Sequence, residues 1–181
     1  MKTKREHRLI PLLTALLLIF PVLFACSAKK EYAFGDLKIQ VPASFTIKEY
    51  HEDLVLISAG KDKFKTAVQM NKIEASGKVL EFSPEAYAAA EPILQENRDS
   101  AALNMTVSEE KVETDTFCGV PAAYARVVGM NTQTQVKCTV EAWKILHGET
   151  VYMITALQED GASETELKEL ENLMKSFDFG R

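Results

Sequence analysis

Hydrophobic residues are distributed along this chain in two different ways. Residues 9–25 form an uncharged, almost entirely apolar segment that follows a basic N-terminus containing Lys2, Lys4, Arg5 and Arg8. Beyond residue 32, apolar and polar residues alternate over short stretches instead. A basic head before an apolar segment is typical of an export signal, whereas alternation with a period of two predicts β-strands in a folded domain.

The alternating stretches predict a domain built mainly from antiparallel strands. Leu37, Ile39 and Val41 share one side of a short strand that ends at Pro42. Turn residues at 59–62 separate two further strands, which should form a hairpin. Short connections between successive strands require antiparallel pairing. We predict extended segments at residues 37–41, 45–47, 54–57, 64–70, 105–112, 120–128, 136–146 and 150–157.

Two helices are predicted from their N-terminal signals. Ser83 is an N-cap residue followed by Pro84, and Pro92 should kink or split the helix that they begin. Ser163 and Glu166 form a capping box before a second helix. The predicted fold class is therefore α+β, an antiparallel sheet of about six strands flanked by helices. The apolar face of the second helix contains Leu167, Leu170, Leu173, Met174 and Phe177, and Asp178–Phe179 is predicted to add a terminal edge strand.

The segment Leu23-Phe24-Ala25-Cys26 resembles the lipobox of bacterial lipoproteins. The resemblance implies cleavage between Ala25 and Cys26 and attachment of a diacylglyceryl group to the Cys26 thiol. Two acyl chains hold a protein stably on a bilayer, whereas one holds it only marginally. We therefore expect a signal peptide at 1–25, a lipidated cysteine and short tether at 26–31, and a single domain at 32–181 on the extracytoplasmic face of the cell membrane.

An uncleaved anchor, with Cys26 unmodified, is the alternative interpretation of residues 9–25. A membrane-spanning helix usually needs about 20 apolar residues, and this segment is shorter. Pro11 and Pro21 also interrupt helical hydrogen bonding near its two ends. These features favour a cleaved signal peptide.

The charge of the mature chain argues against nucleic acid as a partner. Residues 1–25 hold four of the 21 basic residues and one of the 26 acidic residues, so 17 basic and 25 acidic residues remain, a formal charge of −8. A surface of this sign repels phosphates. The expected partners are the membrane, through the lipid on Cys26, and a protein at the cell envelope.

Cys118 and Cys138 remain after Cys26 is assigned to lipid. A hairpin that turns near residues 131–132 would place Cys138 opposite Ala125. Cys118 would then lie roughly 24 Å away along the partner strand, beyond the reach of a disulfide. We therefore predict two free, buried thiols. A longer turn in a different place is the alternative.

Motifs for catalysis or for metal binding are missing from the sequence. His51 and His147 fall in separate predicted turns, and no Cys-x-x-Cys, His-Glu-x-x-His, Gly-x-Ser-x-Gly or glycine-rich phosphate loop occurs. We therefore predict a protein that is not an enzyme and that has no cofactor and no metal. The only tryptophan, Trp143, is predicted to be a core or half-core packing residue. A run of carboxylates is interpreted as a solvated strand face rather than a calcium site, because it lacks the ligand spacing of a calcium loop; it contains Glu109, Glu110, Glu113 and Asp115.

Four short segments of the domain match the pattern of one family. They lie at 37–45, 119–122, 148–152 and 176–177, within residues 32–179. Together they resemble the PsbP-like fold family, which includes the extrinsic photosystem protein PsbP and the DcrB lipoproteins. The resemblance implies an antiparallel sheet between helices, an α/β/α sandwich without a shared catalytic site. Members that are understood act as accessory or interaction modules, and no binding residue is carried over.

Three functional hypotheses follow. The first is a membrane-tethered, non-enzymatic accessory lipoprotein that interacts with another protein. The second is a carrier of a small apolar or lipid ligand held between sheet and helices. The third is a hydrolase whose two carboxylates are distant in sequence, since such a pair leaves no local motif.

Overall fold

The computed structural model of the protein describes residues 29–60 and 65–180. The predicted signal peptide at 1–25 and the predicted lipidation site, Ala25 and Cys26, lie outside these residues. Within them, the alternating segments form strands that pair antiparallel with every neighbour. The strands are β1 (Lys30–Phe34), β2 (Leu37–Val41), β3 (Phe45–His51), β4 (Leu54–Ala59), β5 (Thr66–Glu74), β6 (Met105–Phe117), β7 (Val120–Asn131), β8 (Lys137–His147) and β9 (Thr150–Glu159).

Seven of these strands form one sheet in the order β3-β4-β5-β9-β8-β7-β6. The predicted fold class is confirmed, with one strand more than the six expected in the sheet. The predicted hairpin is the β4–β5 pair, and the predicted meander is β7–β8–β9. Strands β1 and β2 form a separate hairpin. Because β1 begins at Lys30, two residues assigned to the tether at 26–31 belong to this hairpin.

The helices are α1 (Pro84–Ala89), α2 (Glu91–Ala101) and α3 (Glu164–Met174), with a short 3-10 helix at Gly77–Glu81. The Ser83 hydroxyl accepts a hydrogen bond at the start of α1. The helix is split at Ala90, two residues before Pro92, as predicted. The capping box of Ser163 and Glu166 is present at the start of α3. The predicted edge strand at Asp178–Phe179 is reduced to a single bridge between Asp178 and Lys38.

The two faces of the sheet are covered by different elements. Helices α1 and α2 pack on β7 and β8 from one side, where small residues such as Ala123 and Ala125 allow close approach. Helix α3 and the β1–β2 hairpin pack on the other side, mainly over β5 and β9. The main core lies under α3 and the hairpin, and its largest fully buried side chains include Leu37, Ile39, Ile57, Met70, Tyr152, Ile154, Leu170 and Leu173.

A buried amide fixes α2 to the sheet. The Nδ2 atom of Asn97 donates to the carbonyl oxygens of Ala123 on β7 and Ala142 on β8, each at 2.9 Å. Asn97 is 4% exposed. At the preceding residue of α2, Glu96 lies 2.5 Å from the ammonium group of the buried Lys144. These polar groups set the position of the helix along the strands, because apolar contacts alone do not specify a register.

One edge of the sheet is the long strand β6. Its pairing with β7 shifts between Val107 and Glu109, which leaves Ser108 in a bulge. The Ser108 hydroxyl donates to the Val128 carbonyl at 3.0 Å. Opposite the bulge, a Cβ atom on Gly129 would lie 2.3 Å from the Thr106 carbonyl oxygen. Only glycine therefore allows the two strands to approach at this point.

The predicted register of β7 and β8 is wrong by four positions. Cys138 pairs with Gly129 and not with Ala125. The turn is longer than a two-residue turn, because the Asn131 side chain accepts hydrogen bonds from the backbone of Gln133 and Thr134. Its centre therefore lies beyond the predicted position.

The prediction that Cys118 is a buried strand residue is also wrong. Cys118 lies in the β6–β7 turn, has a φ of 49° and is exposed, whereas Cys138 is buried as predicted. Both thiols are free. Because the β6–β7 turn and the start of β8 lie at opposite ends of the sheet, a disulfide between these cysteines is excluded by distance.

We expect Asn97→Ala to lower the free energy of unfolding by about 2 kcal/mol, because two buried hydrogen bonds are lost. Asn97→Asp should cost more at pH 7 than at pH 4, since a buried carboxylate donates no hydrogen bond and burial raises its pKa. Urea unfolding followed by circular dichroism measures both effects. The matched control is Gln95→Ala, at an exposed position of the same helix. Equal effects of the substitutions at residues 95 and 97 would contradict the role of Asn97.

Candidate binding site

Helix α3 and the β1–β2 hairpin cover only part of their face of the sheet. Helix α3 packs over β5 and contacts β2, and the backbone N–H of Gln40 donates to the Ser176 hydroxyl beyond the helix end. The described part of the chain leaves the same face of β6, β7 and β8 open on the far side of α3. Strand alternation brings polar and aromatic side chains to this open area. They include Lys111, Glu113, Asp115, Tyr124, Arg126, Thr139, Glu141 and Trp143.

A cavity of about 510 Å³ lies between α3 and the open strands. We call it the aromatic cavity. Its apolar floor and wall come from strands β6, β8 and β9 and from the inner side of α3, which explains why residues distant in sequence meet here. The apolar lining consists of Phe117, Trp143, Ala156, Leu170 and Met174.

Trp143 is the centre of an aromatic group at this cavity. Its ring centroid lies 5.0 Å from Phe117 and 5.3 Å from Tyr124, in tilted arrangements. Phe117 in turn packs edge-on against Phe177 at 5.1 Å. Trp143 packs against the main core as predicted, but it is only partly buried and also lines the cavity. The aromatic group is therefore held rigidly from behind while part of the Trp143 ring meets solvent.

Carboxylates dominate the rim of the aromatic cavity. Asp115, Glu141 and Glu171 line it together with a single ammonium group, that of Lys175. Lys175 forms an ion pair with Glu171 four residues earlier, and this hydrogen bond lowers the pKa of Glu171. The net formal charge of the rim is therefore negative.

Glu141 is held in place by a tyrosine. The Tyr124 hydroxyl donates to the Oε1 atom of Glu141 at 2.6 Å. Burial, and then this hydrogen bond, raises the pKa of Tyr124 above its ordinary value. The phenol therefore stays protonated and keeps donating at physiological pH. One oxygen of Glu141 is thereby fixed, so that its carboxylate has a defined position beside Trp143.

A second cavity of about 460 Å³, the polar cavity, lies near the start of α3. Its lining is of mixed charge, with Arg126 and Lys137 facing Glu109, Glu159 and Asp160. It has no aromatic residue among its lining residues. The aromatic cavity is the better candidate for a binding site, because ligand sites combine an apolar floor with a few placed polar groups.

Cys118 lies at the rim of the aromatic cavity, but its thiol is not activated as a nucleophile. Its thiol donates to the Met174 carbonyl at the end of α3, at 3.4 Å. Desolvation by the neighbouring protein atoms raises the pKa of the thiol. A reactive cysteine needs the opposite shift, because the thiolate is the nucleophile.

The other residues considered from the sequence are distributed over separate places. His51 ends β3 and His147 ends β8, where it stacks near Phe179. The carboxylates of β6 alternate between faces, so that Glu110 pairs with Arg98 of α2 while Glu113 and Asp115 face the α3 side. Among residues 29–60 and 65–180, no three His, Cys, Asp or Glu side chains are grouped to hold a metal ion. No helix in the same ranges is long and apolar enough to cross a membrane.

Sequence reasoning did not identify Tyr124, Glu141 and Phe117 as site residues. A signal for this face exists in β8, where Glu141 and Trp143 share one side of a strand whose other side is apolar except for Lys144. A carboxylate and a tryptophan on one side indicate a face that is only partly covered.

No protein-family model matches this sequence, and no curated protein matches it. Solved structures define the fold class instead. Cyanobacterial PsbP (CyanoP) from Synechocystis sp. PCC 6803 is 7% identical with a TM-score of 0.51, over 84% of this chain and 92% of that protein. LpqN of Mycobacterium tuberculosis, which is involved in cell envelope biogenesis, is 11% identical with a TM-score of 0.50, over 82% and 88%. The chain thus has a PsbP-like α+β fold, as the sequence resemblance implied.

Two further structures share the fold. The Ran-binding protein Mog1p of Saccharomyces cerevisiae is 12% identical with a TM-score of 0.51, over 83% of this chain and 95% of Mog1p. A protein from Bacteroides thetaiotaomicron is 12% identical with a TM-score of 0.54 over 83% of this chain. This chain spans only 48% of the length of the Bacteroides protein. At these identities the likeness is one of fold.

Because Trp143 is the only tryptophan, its fluorescence reports on the aromatic cavity. We expect caesium to quench it more strongly than iodide, when each is normalised to a free tryptophan amide, because the acidic rim attracts cations. Glu141→Gln should reduce caesium quenching by about two- to three-fold, the effect of one charge at about 7 Å in water. Glu110→Gln, on the opposite face, is the matched control. Equal quenching by the two ions would contradict an acidic rim.

Proposed function

We propose that this protein is a lipid-anchored, extracytoplasmic accessory protein that binds a protein partner at its aromatic cavity. The observation that carries the proposal is the open cavity beside α3, where Trp143 meets solvent next to fixed carboxylates. Tryptophan and tyrosine are enriched where protein surfaces bind other proteins. Further support comes from Mog1p, a Ran-binding protein, and from LpqN, involved in cell envelope biogenesis, which share the fold.

The proposed anchor rests on the lipobox-like segment that ends in Cys26. Since β1 begins at Lys30, the connection from Cys26 is only four residues long, and it reaches about 14 Å when fully extended. The anchored domain is thus kept close to the bilayer. Tyr32 of β1 bonds Glu49 on β3, whereas the aromatic cavity lies beyond α3. The cavity therefore lies on the side of the domain away from the tether strand, accessible to a partner.

The rim carboxylates differ from the paired acids of a hydrolase. A general acid needs a raised pKa, whereas Lys175 lowers the pKa of Glu171. Glu141 is engaged by Tyr124. The proposed role is therefore binding without catalysis.

A carrier of a small apolar ligand is the second candidate, because the cavity has an apolar floor formed in part by Leu170 and Met174. The acidic rim argues against fatty acids and anionic lipids, which carry charge of the same sign. Native mass spectrometry of the purified protein tests this candidate. An added mass that disappears in Trp143→Leu would favour the carrier over the protein-binding role.

We expect globomycin, which blocks lipoprotein maturation, to accumulate the unprocessed precursor, and we expect mass spectrometry of the untreated protein to find a diacylglyceryl group on Cys26. Cys26→Ser should abolish labelling by radioactive palmitate, whereas Cys118→Ser, the matched control, should keep it. Normal processing in the presence of globomycin, or an unmodified Cys26, would contradict the lipid anchor.

A photo-crosslinking residue placed at Lys175, an exposed residue on the rim of the cavity, should form an adduct with one defined protein in intact cells. The adduct should be lost when Trp143→Leu is added. The same residue placed at Leu103, which is 72% exposed in the α2–β6 connection, serves as the control and should not form it. An adduct that forms equally from both positions, or that survives Trp143→Leu, would argue against the cavity as the partner site.

A further inference from the structure

We propose that the group bound in the aromatic cavity is an arginine side chain of the partner; this inference rests on the protein-binding function proposed above. The cavity joins two features that recognise a guanidinium group. One is the partly exposed Trp143 ring, and the other is a rim of carboxylates. An arginine guanidinium is planar, stacks on aromatic rings and pairs with carboxylates through two hydrogen bonds.

The aromatic feature favours a cation over a neutral group. Tryptophan is the best of the aromatic side chains at attracting a cation to its face, within about 6 Å of the ring centroid. Phe117 and Tyr124 hold the Trp143 ring from two sides. The ring is therefore fixed before a ligand arrives, and little side-chain entropy is lost on binding.

The carboxylate feature sets the sign of the charge and its position. Tyr124 occupies only the Oε1 atom of Glu141. In the described ranges 29–60 and 65–180, no donor contacts its Oε2 atom. A carboxylate has about four lone-pair sites on its two oxygens, so Glu141 has room for a further donor. Asp115 adds a second negative charge on the same rim.

The nearby basic groups are placed so that they leave this position open. Lys175 is already paired with Glu171 at the rim, and Lys111 pairs with Glu113 at 2.5 Å. Arg126 is the cross-strand neighbour of Glu141, but it lines the polar cavity and not the aromatic cavity. The aromatic cavity thus keeps an excess of negative charge beside an apolar surface.

The volume is sufficient for one long side chain. The aromatic cavity measures about 510 Å³ and is open on one side. An arginine side chain enters such a cavity while the rest of the partner segment lies across the open strands. Binding should weaken as salt is added, because the pair is formed partly in solvent.

The test uses the full-length protein purified in a neutral detergent and the tripeptide acetyl-Ala-Arg-Ala-amide. Trp143 fluorescence and calorimetry follow the titration. We expect saturable binding, at least ten-fold weaker binding of the citrulline analogue, which has the same shape without the charge, and an intermediate affinity for the lysine analogue. Equal affinity of the arginine and citrulline peptides would overturn the inference. Tighter binding of tetramethylammonium than of the arginine peptide would also overturn it, in favour of a choline-type headgroup.

Charge variants localise the site. Glu141→Gln should weaken binding of the arginine peptide about five- to ten-fold, whereas Glu110→Gln on the opposite face should leave it unchanged. Arg126→Gln should leave binding unchanged or strengthen it, because it removes a competing cation. Weakening in Glu110→Gln equal to that in Glu141→Gln would place the peptide elsewhere and overturn the inference.

The cellular crosslink separates a failure of this inference from a failure of the proposed function. If the Lys175 adduct is lost in Trp143→Leu but persists in Glu141→Gln, the partner site stands and the arginine inference is wrong. If no adduct forms at Lys175 in the parent protein, the proposed function itself is wrong. Loss of the adduct in both variants supports the two proposals together.

Discussion

The width of the sheet is the constraint on which the rest of the structure depends. Seven strands spaced about 4.8 Å apart span roughly 29 Å, whereas a helix with its side chains is about 10 Å wide. On the side of α3, the sheet is covered by one helix and one two-stranded hairpin. Their combined width falls short of the span, so residues 29–60 and 65–180 leave the face of β6–β8 open. The aromatic cavity lies at the boundary between the part of this face that α3 covers and the part that is open.

The opposite face of the sheet is covered at β7 and β8 by two helices. Helices α1 and α2 lie on β7 and β8, and Asn97 bonds the carbonyl oxygens of both strands. Helices α1 and α2 thus support strands β7 and β8 from the face opposite the aromatic cavity. Trp143 sits between Phe117 and Tyr124 on the supported sheet. Rigid support of this kind keeps a partly exposed aromatic ring from collapsing into the core.

Local signals in the sequence were sufficient for most of the fold. Ser83, Pro92 and the Ser163 capping box act within one helical turn, so their effects are readable without a structure. The β7–β8 register was missed because the Asn131 side chain organises a longer turn than the dipeptide there suggests. The site was missed because exposure of one side of β8 depends on how far α3 reaches, which is a property of elements distant in sequence. The partial exposure of Trp143 follows from the same limited reach of α3.

The open sheet also leaves β6 as an edge. A free edge invites another copy of the chain to add its own strand, and proteins fixed to a surface meet one another far more often than they do in bulk solution. Strand β6 carries Glu109, Glu110, Lys111 and Glu113, and its Ser108 bulge interrupts the flat ladder that a second copy would need. Both features oppose self-pairing. Under the proposed lipid anchor, the β6 edge would therefore not drive association between copies of the chain that crowd on one membrane.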